Sequence, residues 1–206
     1  MNARTFVACS LGLMTLGRVA DILVTYHFSP GLELEANPLA SVLGLGWSPL
    51  LAVNMVVLVG IAVCSVCWCT HPLPYEPSPE VHDLWTFASF ACYGRVYPPL
   101  TFLRRRLLVP PTRRAHTLHL IGAVMPITVA VMSAVAVLSW DALYRHQWES
   151  YSLFYGLLWP VFPYGIVIPT MWIAALFFYR HEFRRYQELC AVEVAGEHDQ
   201  SLPKPG

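Results

Sequence analysis

The first residues that could do chemistry lie inside an apolar stretch near the start of the chain. Arg18, Asp21 and Thr25 are spaced so that a helix, at about 100° per residue, places them within about 60° of one another. Two ionisable groups inside a membrane span are costly, so we expect them to face the interior of a helix bundle and to pair. Asn54, at a similar depth in the next apolar stretch, is expected to meet Asp21 or Thr25.

A second polar group follows in the loop after this stretch. Asn37 precedes Pro38, an arrangement that caps a following helix, and Glu35 would lie near its start, where a carboxylate is favoured. Two interpretations remain open. In one, these side chains lock two helices together and cap a loop. In the other, the two carboxylates, Arg18 and Asn37 line an outward-facing site that binds a polar headgroup, moves a proton or does acid–base chemistry.

Cysteine and histidine spacing suggests a metal site in one further segment. Its members are Cys64, Cys67, Cys69 and His71. On a helix, however, the third cysteine points away from the first two, and the second half of a four-ligand site is missing. We therefore expect small, buried, reduced thiols, with no metal and no cofactor.

Five arginines lie close together in the longest connection between apolar stretches. They are Arg104, Arg105, Arg106, Arg113 and Arg114. Beside a membrane, such a cluster favours anionic lipid headgroups. The simpler interpretation is that it only sets the orientation of the chain. The net charge of +0 gives no reason to expect a nucleic acid, so the expected partners are membrane lipids and other membrane subunits or a second copy.

The composition indicates which solvent these groups meet. Hydrophobic residues make up 56% of the 206 residues, charged residues make up 13%, and the mean hydropathy is +0.49. A soluble domain carries about 25% charged residues, so a water-facing surface cannot be built from so few. The chain is expected to be an all-α integral membrane bundle, because lipid tolerates only backbone whose polar groups are satisfied internally.

Four stretches are long and apolar enough to cross about 30 Å of hydrocarbon. They cover about residues 5–28, 49–69, 117–140 and 151–179. Residues 81–103 are also apolar, but Arg95 and the Pro98–Pro99 pair favour an interfacial helix, on the membrane or packed against the bundle. Residues 1–180 are thus predicted to be one transmembrane domain. Residues 181–206 are predicted to be a polar tail that starts helical and ends disordered.

The distribution of basic residues predicts the orientation. Lys and Arg are concentrated in the loop after the second span and in the C-terminal tail, and the N-terminal segment has Arg4. The loop after the first span has none, and the loop after the third has only Arg145, offset by Asp141 and Glu149. Four spans place all three basic segments on the cytoplasmic side, as the positive-inside rule requires. A fifth span over residues 81–103 would move the arginine-rich tail outside. We therefore expect both termini to be cytoplasmic, in the cell (inner) membrane.

Asp21 and Thr25 in the first span, followed by Glu35, Asn37 and Pro38 in the next loop, form a D-x3-T and E-x-N-P pattern. This pattern resembles a family of small uncharacterised prokaryotic multi-pass membrane proteins. The similarity covers about residues 15–65, and the arginine-rich connection departs from it. The resemblance implies a bacterial or archaeal cell membrane and singles out these five positions, but it implies no activity.

The sequence therefore leads to three functional expectations. The first is a non-enzymatic membrane protein, a structural or accessory subunit of a larger complex, because two uncharged, aromatic-rich spans offer area for a partner. The second is a membrane-embedded enzyme, or a binder of a small molecule or lipid headgroup, that uses the polar cluster near the outer face. The third is a small transporter, which with only four spans would need to oligomerise.

Overall fold

The computed structural model of the protein describes residues 2–32, 44, 46–146 and 161–200. Within these residues the chain forms helices and contains no β-strand, so the prediction of an all-α fold is confirmed there. The helices are α1 (Ala3–Phe28), α2 (Trp47–Thr70), α3 (Leu84–Tyr93), α4 (Pro99–Leu108), α5 (Arg114–Trp140) and α6 (Val161–Gln200). A short π-helical turn, Asp141–Arg145, extends α5.

Three helices are long and apolar enough to cross a membrane. They are α1, α2 and α5 with its π-helical turn, Arg114–Arg145. They coincide with the predicted spans over residues 5–28, 49–69 and 117–140, and they identify the chain as a membrane protein by length and composition. Residues 151–160 of the fourth predicted span lie outside the described residues, so that span stays a prediction.

The described part of the chain divides into two compact units. Unit 1 comprises residues 1–71 and 121–174, and unit 2 comprises residues 72–120 and 175–206. Both α5 and α6 contribute to each unit. The predicted boundary at residue 180 stays a prediction. The helix α6 runs through it without a break, and its Glu182 and Tyr186 are buried.

Unit 1 is held together by small residues at helix contacts. The Ser65 hydroxyl in α2 donates to the carbonyl oxygens of Ile61, at 2.8 Å, and of Gly122 in α5, at 2.7 Å. Gly17 in α1 lies against Ser133 in α5, where an added Cβ would be 3.3 Å from the serine Cβ. In lipid, close backbone approach of this kind replaces the hydrophobic effect as the source of helix association.

In unit 2, the region predicted as one interfacial helix over residues 81–103 is two helices, so the prediction of a single helix is wrong. Its location at the membrane surface stays a prediction. Asp83 and Thr86 form a capping box that starts α3, and Gly94, at φ 71°, ends it in the left-handed conformation. Pro99 then starts α4 after an extended Pro98. Phe87 and Ala91 of α3 form a core with Tyr75 and Tyr186.

Candidate functional site

The polar cluster inside unit 1 is centred on Arg18. Its Nη1 donates to Asp21 Oδ2 at 2.6 Å, which forms the predicted ion pair along one face of α1. Its Nε donates to Asn54 Oδ1 at 3.0 Å, and its Nη2 donates to the same oxygen. One guanidinium therefore joins α1 to α2.

Asn54 reaches this cluster through Arg18, whereas the sequence suggested Asp21 or Thr25. The reason lies in the hydrogen bonding of the amide. Asn54 Nδ2 donates to the Leu50 carbonyl oxygen one turn earlier, at 2.8 Å, which turns Oδ1 towards α1. That oxygen can only accept, and an arginine supplies donors in a fixed fork.

The cluster is largely enclosed. The side chains of Arg18 and Asp21 keep 24% and 12% of their exposure, and Thr25, one turn further along α1, is buried. The predicted residues Glu35, Asn37 and Pro38 lie outside the described residues, so their part in the cluster stays a prediction. What the described atoms form is a charge-neutral pair with an amide acceptor, a geometry that suits a helix–helix lock.

The predicted arginine cluster lies in unit 2, at the end of α4 and the start of α5. Arg105 lies over the rings of Tyr93 and Tyr97, 5.2 and 5.0 Å from their centroids, and Arg113 lies 4.8 Å from the Phe90 centroid. Among the described residues, no carboxylate lies within ion-pair distance of Arg104, Arg105, Arg106, Arg113 or Arg114. Three other arginines, by contrast, do have such partners.

A buried carboxylate in unit 2 was not foreseen. Glu182 is fully buried and accepts from Arg185 Nη1 at 3.1 and 3.2 Å and from the Tyr75 hydroxyl at 3.2 Å. Burial and the adjacent Glu182 carboxylate raise the pKa of Tyr75 far above its usual value, so the phenol stays protonated as a donor. The i, i+3 spacing of Glu182 and Arg185 was visible in the sequence, but the distant Tyr75 was not.

Tyr186 fixes the proline-rich segment onto α6. Its hydroxyl accepts from the Ser78 amide at 2.8 Å and donates to the Ser78 carbonyl oxygen at 3.2 Å. Its ring contacts Tyr75 and Phe87, with centroids 6.2 and 5.4 Å away. This clamp is structural, since its polar atoms pair with the backbone of the segment that it holds.

Unit 2 also buries a histidine and a thiol that both lie close to Tyr179. His116 packs on the rings of Phe178 and Tyr179, and neither ring nitrogen has a hydrogen-bond partner among the described residues. Cys92 Sγ lies 3.2 Å from the Tyr179 hydroxyl. Burial raises the pKa of the Cys92 thiol, which disfavours the thiolate that a nucleophile would need.

The cysteines and histidines do not gather into a metal site in the part of the chain that the structure describes. No group of three or more histidine, cysteine or acidic side chains there could hold an ion. All six cysteines fall within this part, and all six are free thiols.

No family model, no curated protein and no solved structure matches the chain. The resemblance based on Asp21, Thr25, Glu35, Asn37 and Pro38 therefore stays a prediction, and the function has to be argued from the contacts.

Proposed function

We propose that the chain is a non-enzymatic multi-pass membrane protein that serves as a structural or accessory subunit of a membrane complex. One observation carries the proposal: the Arg18 guanidinium is bonded to both Asp21 and Asn54. An ionisable pair in a span is expensive and usually marks a function. Here the Arg18 guanidinium joins α1 to α2 and Asp21 pairs with it, which leaves the two charges little freedom to act on a substrate.

The outward faces of the spans support an accessory role. Leu16 and Leu23 on α1, and Met55 and Val56 on α2, are exposed together with most of the first half of α2. Such faces suit lipid or the apolar helices of a neighbouring subunit.

We further propose four spans with both termini in the cytoplasm of the cell membrane. The third span begins at Arg114, immediately after Arg113, and α6 carries Arg180, Arg184 and Arg185. Basic residues at these two positions favour a shared cytoplasmic side, which requires one more crossing between α5 and residue 180.

The test is to extract the native chain with a gentle detergent and measure the mass of the assembly by size exclusion with light scattering. The proposal expects a stoichiometric assembly larger than one chain with its detergent, reproduced when a tag is moved from one terminus to the other. A single chain under both conditions would contradict the proposal. Labelling of a tag at the C-terminus from the outer side of intact cells would contradict the topology.

A second candidate is a membrane-embedded enzyme or binder that uses the same cluster. The observation that favours it is the 24% exposure of the Arg18 side chain, so this charged residue is not fully enclosed. A small oligomeric transporter is third. Asp21→Asn distinguishes them from the first proposal: loss of function with an unchanged amount of folded protein supports a site, and loss of folded protein supports the lock.

A further inference from the structure

The amphipathic helix α4 faces its apolar side outwards. Phe102 is buried, and its ring packs on Tyr93 and Trp85 at centroid distances of 6.2 and 6.3 Å. Leu100, Leu103 and Leu108 keep 63%, 39% and 82% of their exposure. At about 100° per residue, these three leucines lie within about 140° of one another, on the face opposite Phe102. A helix that faced water would bury its leucines and expose its polar side.

Arginines surround this leucine stripe. At about 100° per residue, Arg104 falls within it, and Arg105 and Arg106 lie on its two flanks. An apolar stripe bordered by arginines is typical of a helix lying in the membrane interface, with its leucines at the acyl boundary and its charges reaching the headgroups.

The position of α4 in unit 2 agrees with this location. Arg114 is the first residue of α5, a helix apolar enough to cross the membrane, so Arg113 and Arg114 lie where that helix leaves the hydrocarbon. The segment between α4 and α5 is fixed: the Arg113 amide donates to the Cys92 carbonyl oxygen at 3.3 Å, and the Tyr93 hydroxyl donates to the Val109 carbonyl oxygen at 3.0 Å. The end of α4 is therefore held near the same membrane surface.

The arginines are also presented in a way that suits phosphate. Arg105 stacks on Tyr93 and Tyr97, and Arg113 stacks on Phe90. Stacking orders the plane of a guanidinium and leaves the N–H groups at its free edge able to bind phosphate oxygens. In Arg105 the Nε atom is buried, so its two Nη groups are the donors for a phosphate. Among the described residues no carboxylate competes for these donors at ion-pair distance.

From these observations we propose that α4 and the start of α5 form a surface that binds the phosphate headgroups of anionic bilayer lipids. Leu100, Leu103 and Leu108 enter the acyl boundary, and the five arginines neutralise the lipid phosphates. This goes beyond a role in orienting the chain, because orientation needs only charge, whereas this surface needs the leucine stripe and the stacked arginines together. It does not depend on whether the chain is an accessory subunit.

The test measures thermal unfolding of the full chain in an uncharged detergent with phosphatidylglycerol, phosphatidylcholine or inorganic phosphate at equal concentrations. Near one hundred times Kd, phosphatidylglycerol is expected to raise Tm by roughly 5–10 °C. The other two are expected to change it by less than a quarter of that. Equal shifts with both lipids, or none, would overturn headgroup recognition. An equal shift with inorganic phosphate would reassign the surface to a free anion.

Variants separate the surface from net charge. The double variant R104Q/R114Q removes two exposed arginines and is expected to lose at least half of the shift while keeping its Tm without lipid. Leu108→Gln is expected to raise several-fold the phosphatidylglycerol concentration that gives half of the full increase in Tm. The control is Arg184→Gln, an exposed arginine of the same unit on α6, which should keep the full shift. An equal loss in this control would show that only overall charge matters and would overturn the proposal.

Discussion

Ser65 and Gly122 join α2 to α5, two helices apolar enough to cross a membrane: the serine hydroxyl donates to the glycine carbonyl oxygen at 2.7 Å. The contact exists because Gly122 has no side chain. A Cβ added there would overlap the backbone atoms of Cys64 and Ser65, which cannot move aside as the end of a flexible side chain could. The closeness of the two helices therefore depends on this one glycine.

We expect Gly122→Ala to destabilise the protein by about 1–3 kcal/mol, the usual cost of inserting a methyl group into a well-packed contact. Thermal unfolding in detergent measures it as a lower Tm. The matched control is Gly60→Ala in α2, because a Cβ there meets nothing within 4 Å. Gly60→Ala should leave Tm unchanged or raise it slightly, since alanine favours helix over glycine. Equal losses in both variants would show that the contact does not limit helix packing.

The bridge made by Arg18 leads to a second prediction. Asp21→Asn removes the opposite charge and leaves the partly buried guanidinium with neutral amide acceptors only. We expect a loss of about 2 kcal/mol, below the range for fully buried pairs because Arg18 keeps some exposure. A double-mutant cycle of Asn54→Leu with Arg18→Gln should show coupling, because their effects act through the same hydrogen bonds.

The control for this series is Thr15→Val on α1, where the lost hydroxyl bonds only to the Leu11 carbonyl oxygen of its own helix. Thr15→Val should lower the stability of the protein less than any of the substitutions at Arg18, Asp21 or Asn54. Independent effects of the Arg18 and Asn54 substitutions would mean that the bridge does not hold α1 to α2.

Where pattern alone decides structure, the sequence was sufficient. Three spans followed from long apolar stretches, and the Arg18–Asp21 pair followed from the helical period. The contact of Asn54 with Arg18 could not be predicted in the same way, because the sequence does not define the register between two helices. Nor could the contact of Tyr75 with Glu182, since the two residues are 107 positions apart.

The error at residues 81–103 has a local cause. The stretch was treated as one helix on its apolar content, but Gly94 adopts the left-handed conformation that ends α3, and Pro98 does not continue it. Phe87 and Ala91 of α3, before this turn, lie in the core of unit 2. Glycine followed by a proline pair was the signal that favoured a break.

The Tyr75–Glu182 contact predicts that the proline-rich segment depends on one phenol. Tyr75→Phe removes one of the donors to the fully buried Glu182 carboxylate, which keeps Arg185, and should destabilise unit 2 by about 1 kcal/mol. Amide hydrogen exchange should then become faster in residues 72–80, the proline-rich segment, because its contacts with α6 protect these amides. Tyr26→Phe, which loses an exposed hydroxyl, is the control and should leave this exchange unchanged. Unchanged exchange in Tyr75→Phe as well would mean that the Tyr186 clamp alone holds the segment.

The capping box of α3 predicts a pH dependence. The Asp83 carboxylate accepts from the Thr86 amide at 2.7 Å, and this hydrogen bond lowers the pKa of Asp83 below its usual value of about 3.9. A carboxyl whose pKa is lower in the folded state binds protons more readily when unfolded. Its contribution is therefore complete above the unfolded pKa of about 3.9 and is lost as the pH falls through the folded value.

Asp83→Asn keeps a capping oxygen but carries no charge, so it isolates this effect. Between about pH 5 and pH 3 the wild type should lose more stability than Asp83→Asn, because only the wild type has an Asp83 carboxylate that titrates there. Thermal unfolding at matched ionic strength measures the difference, and Asp141→Asn, at a carboxylate on the π-helical turn of unit 1, controls for general loss of a negative charge. Parallel pH profiles for the wild type and Asp83→Asn would show that α3 begins without help from the Asp83 charge.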